Sequence, residues 1–407
     1  MKKTFFGFVI LAALAMPYAA KAQSNPIITS MPSLSIAPDA RAGGMGDVGT
    51  ATSPDLNSQH WNPAKYAFME SNGGLTANYT PWLTKLVNDI NLAYIAGYYT
   101  ISEMAGTLSA SFTYFSLGKV DITDLNGTFM QEAHPNEWAI DLAYSRKLHE
   151  YVSMAVALRF MYSDLNNGSN ASTSGSAAEL YPGMTAAADV ALYYRQPIEL
   201  GSGTSYFGLG LDISNLGGKI SYDDKVTQSF IPANLSLGLS YEIPFDKYNS
   251  LTINADFNKY LVPTRNNKFA VDENGNRLTG QQLTDWYSDL SSPRGWFMSF
   301  ADAPGYVDDN LKQVSPAVEE LQEIRCGVGA EYSYDKKFFA RVGYSHENYY
   351  KGNRRYATVG AGFHLSIFSL DVAYVIATAA SNPLDQTLRF TVGFDLAGIK
   401  DLVNNKK

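Results

Sequence analysis

From residue 73 onward the chain alternates apolar with polar or small residues, and this period of two limits the fold more than any other feature. The run 388–396, for example, reads LRFTVGFDL, and the run 152–162 reads VSMAVALRFMY. Successive side chains of a β-strand point to opposite faces, so each such run has one apolar face and one polar or small face. No apolar run after Met16 approaches 18 residues, so any crossing of a membrane must use strands.

Fourteen segments carry this pattern, and their length of roughly ten residues fits a tilted strand that crosses a bilayer. The predicted strands are 74–79, 91–101, 105–119, 136–148, 151–163, 184–195, 205–214, 233–243, 250–259, 322–334, 337–346, 354–366, 368–378 and 386–396.

The connections between these strands are sorted by parity. Those after odd-numbered strands are long, and 260–321 is the longest, whereas those after even-numbered strands are mostly short, such as 149–150 and 335–336. Long loops on one side and short periplasmic turns on the other are typical of outer-membrane barrels. A soluble β-sandwich also shows alternation, but it has no reason to sort its loops. The sequence therefore predicts an all-β, 14-stranded antiparallel transmembrane β-barrel in the cell outer membrane, over 73–398, with both termini periplasmic.

Composition favours the same class. The chain has 27 Tyr and 21 Phe but only 17% charged residues, below the roughly 25% of an ordinary soluble domain. Aromatic residues with low charge suit a barrel that needs two interfacial girdles. The net charge is −8, and an acidic chain without a basic stripe is a poor candidate for binding nucleic acid.

The first 22 residues have the pattern of a secretory signal peptide. Lys2 and Lys3 precede an apolar run over 5–16, and the sequence AKA at 20–22 provides a small-x-small cleavage site. A transmembrane anchor is the alternative, but the apolar run is shorter than the ~20 residues that a spanning helix needs. We therefore expect a mature chain that begins at Gln23, and we assign 399–407 to a C-terminal tail.

Residues 23–72 lack the alternation and form a separate N-terminal segment. The run 37–49 reads APDARAGGMGDVG and the run 53–64 reads SPDLNSQHWNPA. The spacing of Gly44, Gly46 and Gly49 formally matches a dinucleotide fingerprint, but that motif requires a parallel βαβ unit, which is not predicted here. We interpret these glycines as places where backbone approaches other backbone.

The block 37–64 resembles the N-terminus of the PorV (also called LptO) family, outer-membrane proteins of the type IX secretion system of Bacteroidetes. Its WNPA element is similar to one in the wider FadL-like superfamily of fatty-acid transporters. The resemblance extends over the mature chain in length and strand number, and it implies that 23–72 is a hatch folded into the barrel lumen. The residues that carry the hatch motif are Arg41, Gly43, Gly44, Gly46, Asp47, Trp61, Asn62 and Pro63.

The resemblance also implies a function. Members of the family are carriers that accept secreted cargo proteins by their C-terminal domain at a SprA/Sov-like translocon. They deliver the cargo to the attachment complex that contains the PorU sortase, where it is anchored to lipopolysaccharide. The implied partners are therefore these proteins together with outer-membrane lipid and lipopolysaccharide. Two alternatives stay open: a FadL-like transporter of hydrophobic small molecules with an apolar pocket beneath the hatch, and a lipopolysaccharide deacylase.

The predicted connection 260–321 is too long for an idle loop. Helix-like patterns occur at 281–290 and 315–321, the latter with Pro316 near its start. Exposed aromatic clusters often mark protein contacts, but the same side chains can instead cap the barrel mouth or lie at the lipid interface. The candidate partner-binding residues are Trp286, Tyr287, Trp296, Phe297, Phe300 and Tyr306. The Ser/Asn/Gly-rich run 166–176 is predicted to be a mobile loop tip.

The sequence provides no catalytic, cofactor or metal motif. The five histidines (His60, His134, His149, His346 and His364) lack metal-ligand spacing, and the single Cys326 has no partner for a disulfide or redox pair. The run from Asp272 begins like a calcium loop, but Arg277 replaces the required glycine and Leu283 replaces the acidic twelfth ligand. A deacylase needs a nucleophile beside a base such as His364. No cofactor is expected, and the leading hypothesis is a carrier that is not an enzyme.

Overall fold

The computed structural model describes residues 25–82, 89–123, 128–165, 181–223, 227–365, 367–378 and 384–396. The predicted signal peptide, the loop tip at 166–176 and the tail at 399–407 lie outside these residues.

The described strands follow one another in the order that the alternation predicts. The first nine are β1 (Gly73–Pro81), β2 (Ile90–Ser102), β3 (Gly106–Leu117), β4 (Val120–Thr123), β5 (Phe129–Ala133), β6 (Asn136–His149), β7 (Val152–Asp164), β8 (Gly183–Leu200) and β9 (Gly203–Gly217). The others are β10 (Asn234–Pro244), β11 (Asn249–Tyr260), β12 (Tyr306–Val307), β13 (Gln313–Val314), β14 (Arg325–Tyr334), β15 (Phe338–His346), β16 (Tyr356–His364), β17 (Phe368–Ala377) and β18 (Leu388–Asp395).

Fourteen of these strands form a closed antiparallel barrel, in which β1 pairs with both β2 and β18. The remaining four form two hairpins, β4–β5 and β12–β13, within long connections. All fourteen predicted strands are confirmed. The largest boundary error is at β8, which ends at Leu200 because Pro197 is accommodated in the strand opposite Tyr206. β14 begins three residues later than predicted because a helix occupies Pro316–Gln322.

The two faces of the barrel wall differ in polarity. On β1, Thr76, Asn78 and Thr80 point inward and are buried, whereas Leu75 and Tyr79 point outward and are each about half exposed (49% and 48%). The same reversal recurs on β6 and β7, where the outward Leu142 and Leu158 are exposed. The apolar face is therefore outside and the polar face inside, the opposite of a soluble sandwich. Among the described residues, no helix has the length and apolarity needed to cross a membrane.

Loop length separates the two rims of the barrel. The short-turn rim carries the connections 103–105, 150–151, 201–202, 245–248, 335–337 and 365–367, and the long-loop rim carries 82–89, 118–135, 165–182, 218–233, 261–324, 347–355 and 378–387. The predicted sorting by parity is confirmed. The connection 261–324, called the long loop below, contains helices at Gly280–Asp289, Ser292–Met298 and Pro316–Gln322. The first and third were predicted, and the second was not.

Residues 25–72, called the N-terminal segment below, run through the barrel interior from rim to rim. At the long-loop rim, the Asn25 amide donates to Tyr350 O (3.3 Å). At the short-turn rim, the Ser71 hydroxyl donates to Asp395 (2.6 Å). The described chain thus begins at the long-loop rim and ends, with Leu396, at the short-turn rim, whereas the loop parity predicted both ends at the short-turn rim. The reason is that the segment traverses the lumen before β1 begins.

Candidate functional site: a filled lumen beneath a capped rim

Glycines let the N-terminal segment approach the inner wall at backbone distance. Gly46 has a φ of +77°, and a Cβ added to it would lie 2.7 Å from both the N and the O of Tyr344. A Cβ on Gly44 would lie 3.1 Å from Cα of Gly360, and one on Gly43 would overlap the Arg389 side chain. Side chains at these positions would push the segment off the wall, so the glycines of the hatch motif serve contact with the barrel.

Buried ion pairs join the segment to the wall. Arg41 lies between Glu331 on β14 (Nη2 to Oε1, 2.8 Å) and Asp55 of its own segment (Nη1 to Oδ2, 2.9 Å). The wall continues this chain of charges, because Arg341 pairs with both Glu331 (2.6 Å) and Asp371 (2.6 Å). These charges are shielded from water. Buried ion pairs are screened far less by salt than ion pairs at a surface.

The second charged residue of the hatch motif contacts a different part of the wall. Asp47 has a φ of 60° and pairs with Arg389 on β18 at 2.5 Å. It also accepts a hydrogen bond from the Tyr356 hydroxyl at 2.5 Å. Two neighbouring backbone amides, those of Gly49 and Thr50, donate to Asp256 at 2.8 and 2.9 Å. The turn at 46–50 is therefore held by three strands of the wall.

The sequence Trp61-Asn62-Pro63 folds the segment onto itself and onto the barrel. Trp61 Nε1 donates to Asp39 (2.7 Å), and Asp39 also accepts from the Ala42 amide (2.8 Å) at the start of a helical turn. The Asn62 side chain donates to Thr50 O (3.1 Å) and to Leu192 O of β8 (2.9 Å), while its oxygen caps the 3₁₀ helix that begins at Pro63. These residues therefore act as internal connectors.

The seam where the barrel closes also contacts the segment. Asn78 on β1 and Thr391 on β18 hydrogen-bond to each other at 2.5 Å. Asn78 donates to Asn57 (2.8 Å), and Thr391 accepts from the Ala40 amide (2.8 Å). Both sides of the seam are thus bonded to the segment that the barrel encloses.

Two of the cavities within the described barrel lie on opposite sides of the N-terminal segment, and no residue lines both. The cavity on the long-loop side has a volume of about 160 Å³, and the one on the short-turn side about 490 Å³. Charged residues such as Arg41, Glu331 and Asp371 line the larger one together with apolar residues such as Phe68 and Phe339. The smaller one has apolar residues such as Leu92 and Trp82 beside charged ones such as Arg159 and Glu347. The larger cavity is thus mixed in polarity, whereas the transporter hypothesis places an apolar pocket beneath the hatch.

Three of the predicted contact aromatics pack inward from the long loop. Trp286, Tyr287 and Trp296 are partly buried and surround a core cluster in which Phe230 and Leu290 are buried. Lys219, from the neighbouring connection, donates to the carbonyls of Tyr287 (2.8 Å) and Ser288 (2.9 Å). Burial lowers the pKa of this lysine to about 8. These residues fasten the long loop over the rim.

The remaining three candidates divide between the interior and the surface. Tyr306 is buried, and its ring packs 4.7 Å from that of Tyr350. Phe297 is 79% exposed and Phe300 49% exposed. The third helix adds Val318 and Leu321, which are also exposed and lie on one helical face because they are three residues apart. Sequence reasoning identified the aromatic cluster but not its division, and it missed these two aliphatic residues.

The described histidines form no pair with a serine. His364 Nε2 lies 3.1 Å from both oxygens of Asp371, and His134 pairs with Glu132 at 3.0 Å. Asp371 is itself paired with Arg341. A deacylase of the kind considered above needs a hydroxyl nucleophile within hydrogen-bond reach of its base, and among the described hydrogen bonds neither of these histidines has one.

Several solved structures resemble the fold at low identity. The TodX monoaromatic hydrocarbon channel with a deltaS2S3 mutation gives a TM-score of 0.48 at 11% identity, covering 87% of this chain and 96% of that one. The toluene transporter TodX of Pseudomonas putida gives 0.46 at 11%, covering 86% and 95%. The toluene transporter TbuX of Ralstonia pickettii gives 0.45 at 12%, covering 87% and 96%.

No curated protein matches the sequence. The family model described as "Type IX secretion system protein PorV" matches residues 19–267, which is more than half of the 407 residues. The chain therefore belongs to the PorV family of the type IX secretion system.

Proposed function

We propose that this protein is an outer-membrane carrier that binds the C-terminal domain of secreted cargo on the surface of its long loop. The carrier passes cargo from a SprA/Sov-like translocon to the PorU-containing attachment complex. Family membership supports a place in type IX secretion. The outward apolar face of the strands supports a location in lipid, and lipopolysaccharide surrounds the long-loop rim in this arrangement.

The observation that carries the proposal is the contrast between a filled lumen and an exposed apolar surface above it. The N-terminal segment occupies the interior, so a folded cargo domain has no path through the barrel. Phe297, Phe300, Val318 and Leu321 remain exposed on a loop whose other aromatics hold it in place. Exposed apolar groups on a fixed scaffold are suited to partner binding, because little ordering cost remains at association.

The test is a binding measurement between the purified carrier and a cargo C-terminal domain. We expect Phe297→Ser combined with Phe300→Ser to raise the dissociation constant at least about tenfold. The reason is that an aromatic hot spot contributes about 1–2 kcal/mol or more to binding, and 1.4 kcal/mol is a factor of ten in the dissociation constant. The matched control is Phe245→Ser, because Phe245 is 54% exposed but lies on the short-turn rim.

An unchanged dissociation constant in the double variant, with the barrel still heat-modifiable, would contradict the assignment to the long loop. An equal loss in Phe245→Ser would also contradict it, because apolar exposure alone would then explain binding. The same two variants test delivery: we expect cargo to remain unattached at the cell surface only in the long-loop variant.

A further inference from the structure

A group of acidic side chains lies buried inside the long loop. Asp302, Glu320 and Glu323 each bring a carboxylate oxygen to within 4.8 Å of the others. Asp302 has no exposed surface, Glu323 is 6% exposed, and Glu320 is half-buried. Asp302 follows the second helix of the loop, whereas the two glutamates lie at the end of the third helix. The cluster thus joins parts of the loop that are about 20 residues apart.

The lysines around this cluster provide fewer positive charges than its carboxylates provide negative ones. Lys259 pairs with Glu323 at 2.6 Å and with Glu320 at 3.3 Å. Lys351 pairs with Glu323 at 2.9 Å and with the fully buried Glu319 at 2.6 Å. Four carboxylates therefore face two ammonium groups. An uncompensated charge in a buried site is costly, so the cluster requires a further cation or proton.

Asp302 is the carboxylate of this group that forms no ion pair with a described lysine or arginine. Its Oδ2 accepts from the Thr264 amide (2.9 Å) and from Asn267 Nδ2 (2.7 Å), which fix the orientation of the group. Its Oδ1 is buried and receives no hydrogen bond from the described residues. Burial, together with the charges of Glu323 and Glu320, raises the pKa of Asp302 to about 7. The unsatisfied oxygen and the adjacent carboxylates together indicate a position for a positive ligand.

We propose that Asp302, Glu320 and Glu323 bind a divalent cation, Ca²⁺ in preference to Mg²⁺. Oxygen ligands at about 2.3–2.6 Å from Ca²⁺ can be up to about 5 Å apart, whereas opposite ligands of Mg²⁺ are about 4.2 Å apart in a strict octahedron. A bound Ca²⁺ would balance the two excess negative charges. It would also tie Asp302 to the helix that leads into β14, and so hold the long loop closed on itself. The site lies beside the proposed cargo surface, because Glu320 is on the same helix as Val318 and Leu321, but its ligands are carboxylates and not the exposed apolar side chains.

The experiment is calorimetric titration of CaCl₂ into the full mature protein in detergent, after treatment with EDTA. We expect one saturable site for each chain, with MgCl₂ at least about tenfold weaker. Asp302→Asn should weaken Ca²⁺ binding at least about tenfold. The matched control is Asp272→Asn, because Asp272 is an exposed acid of the same loop whose oxygens accept from Asn274 and Asn276 in a turn. The affinity of the Asp272→Asn variant for Ca²⁺ should equal that of the unmodified protein.

Three results would overturn the proposal. One is the absence of saturable Ca²⁺ binding by the unmodified protein, which would leave a shared proton as the compensation for Asp302. Another is binding that Asp302→Asn preserves and Asp272→Asn removes. The third is Ca²⁺ binding that is detected only above about 10 mM CaCl₂, which would indicate an adventitious ion only. If Asp302→Asn fails to fold, as judged by heat-modifiability, Glu320→Gln replaces it with the same expectation. Because this readout involves no cargo, its failure is distinct from failure of the carrier proposal.

Discussion

The N-terminal segment and the long loop are the two large parts of the molecule outside the barrel strands, and they are held by different combinations of contacts. The N-terminal segment is fixed to a polar wall by ion pairs and backbone hydrogen bonds, such as those of Arg41 with Glu331 and of Gly49 with Asp256. The long loop is fixed by an apolar cluster around Phe230 and Leu290, and in addition by the ion pairs of Lys259 and Lys351 with its third helix.

This difference shows which of the two regions can meet a partner. The segment uses its polar groups on the wall that surrounds it, so little of it is left for another molecule. The loop uses one aromatic face for attachment, and Phe297 and Phe300 stay outside. A region held from one side can present its other side, which supports the proposed role of the long loop in recognition.

The largest expected effect concerns the charges of the segment. We expect Glu331→Gln to lower the free energy of unfolding by about 3–5 kcal/mol, because it leaves the buried Arg41 and Arg341 with weakened pairing. Urea titration in lipid vesicles measures it. The control is Glu132→Gln on the β4–β5 hairpin, whose partner Lys119 is 59% exposed. That surface pair should contribute no more than about 1 kcal/mol. Equal losses of unfolding free energy in the two variants would contradict the expectation that the buried ion pairs at the wall contribute more than the exposed pair of the hairpin.

A smaller effect is expected from a matched pair of glycines. Gly46 in the segment and Gly275 in the long loop have φ values of +77° and +80°, but a Cβ at Gly275 would meet nothing within 4 Å. Alanine at either site costs about 1–2 kcal/mol in the left-handed region. At Gly46 we expect about 1–3 kcal/mol more, from overpacking against Tyr344. The same unfolding titration tests this, and identical costs would mean that the segment is not pressed against the wall.

The smallest effects separate the two kinds of aromatic in the long loop. Trp286→Ala should lower the local opening free energy of helix Gly280–Asp289 by about 1–3 kcal/mol, because it removes part of the apolar cluster. Phe297→Ala should change it by less than about 0.5 kcal/mol, since the side chain is exposed. Amide hydrogen exchange of the helix reports both values. A large change of the opening free energy in the Phe297 variant would show that Phe297 helps to hold the loop in place and is not a free surface residue.

The strands were predictable because their signal is local and repeated. Alternation in a run such as 388–396 depends only on neighbouring residues, and parity of loop length depends only on where the runs end. Pro197 and the helix at Pro316–Gln322 moved boundaries because tertiary pairing and capping overrode the pattern.

The site was less predictable because its contacts join distant residues. Arg41 meets Glu331 across 290 positions, and no spacing in the sequence signals that pair. Trp296 and Phe297 are adjacent in the chain, yet one packs inward and the other faces outward. The direction of each side chain depends on its position around the short helix Ser292–Met298. The aromatic content of the loop does not predict it. The family resemblance identified the hatch motif, but not the direction in which the segment crosses the lumen.

The seam described above has a consequence for biogenesis. Strand β1 pairs with β18 through residues more than 300 positions apart, such as Asn78 and Thr391, and loop-closure entropy makes such long-range pairing a late event. Both seam residues also hydrogen-bond to the segment that precedes β1, so the same two side chains stabilise the closed ring and the enclosed segment. We therefore expect closure of the barrel and docking of the segment to be coupled, so that a closed barrel retains a filled lumen.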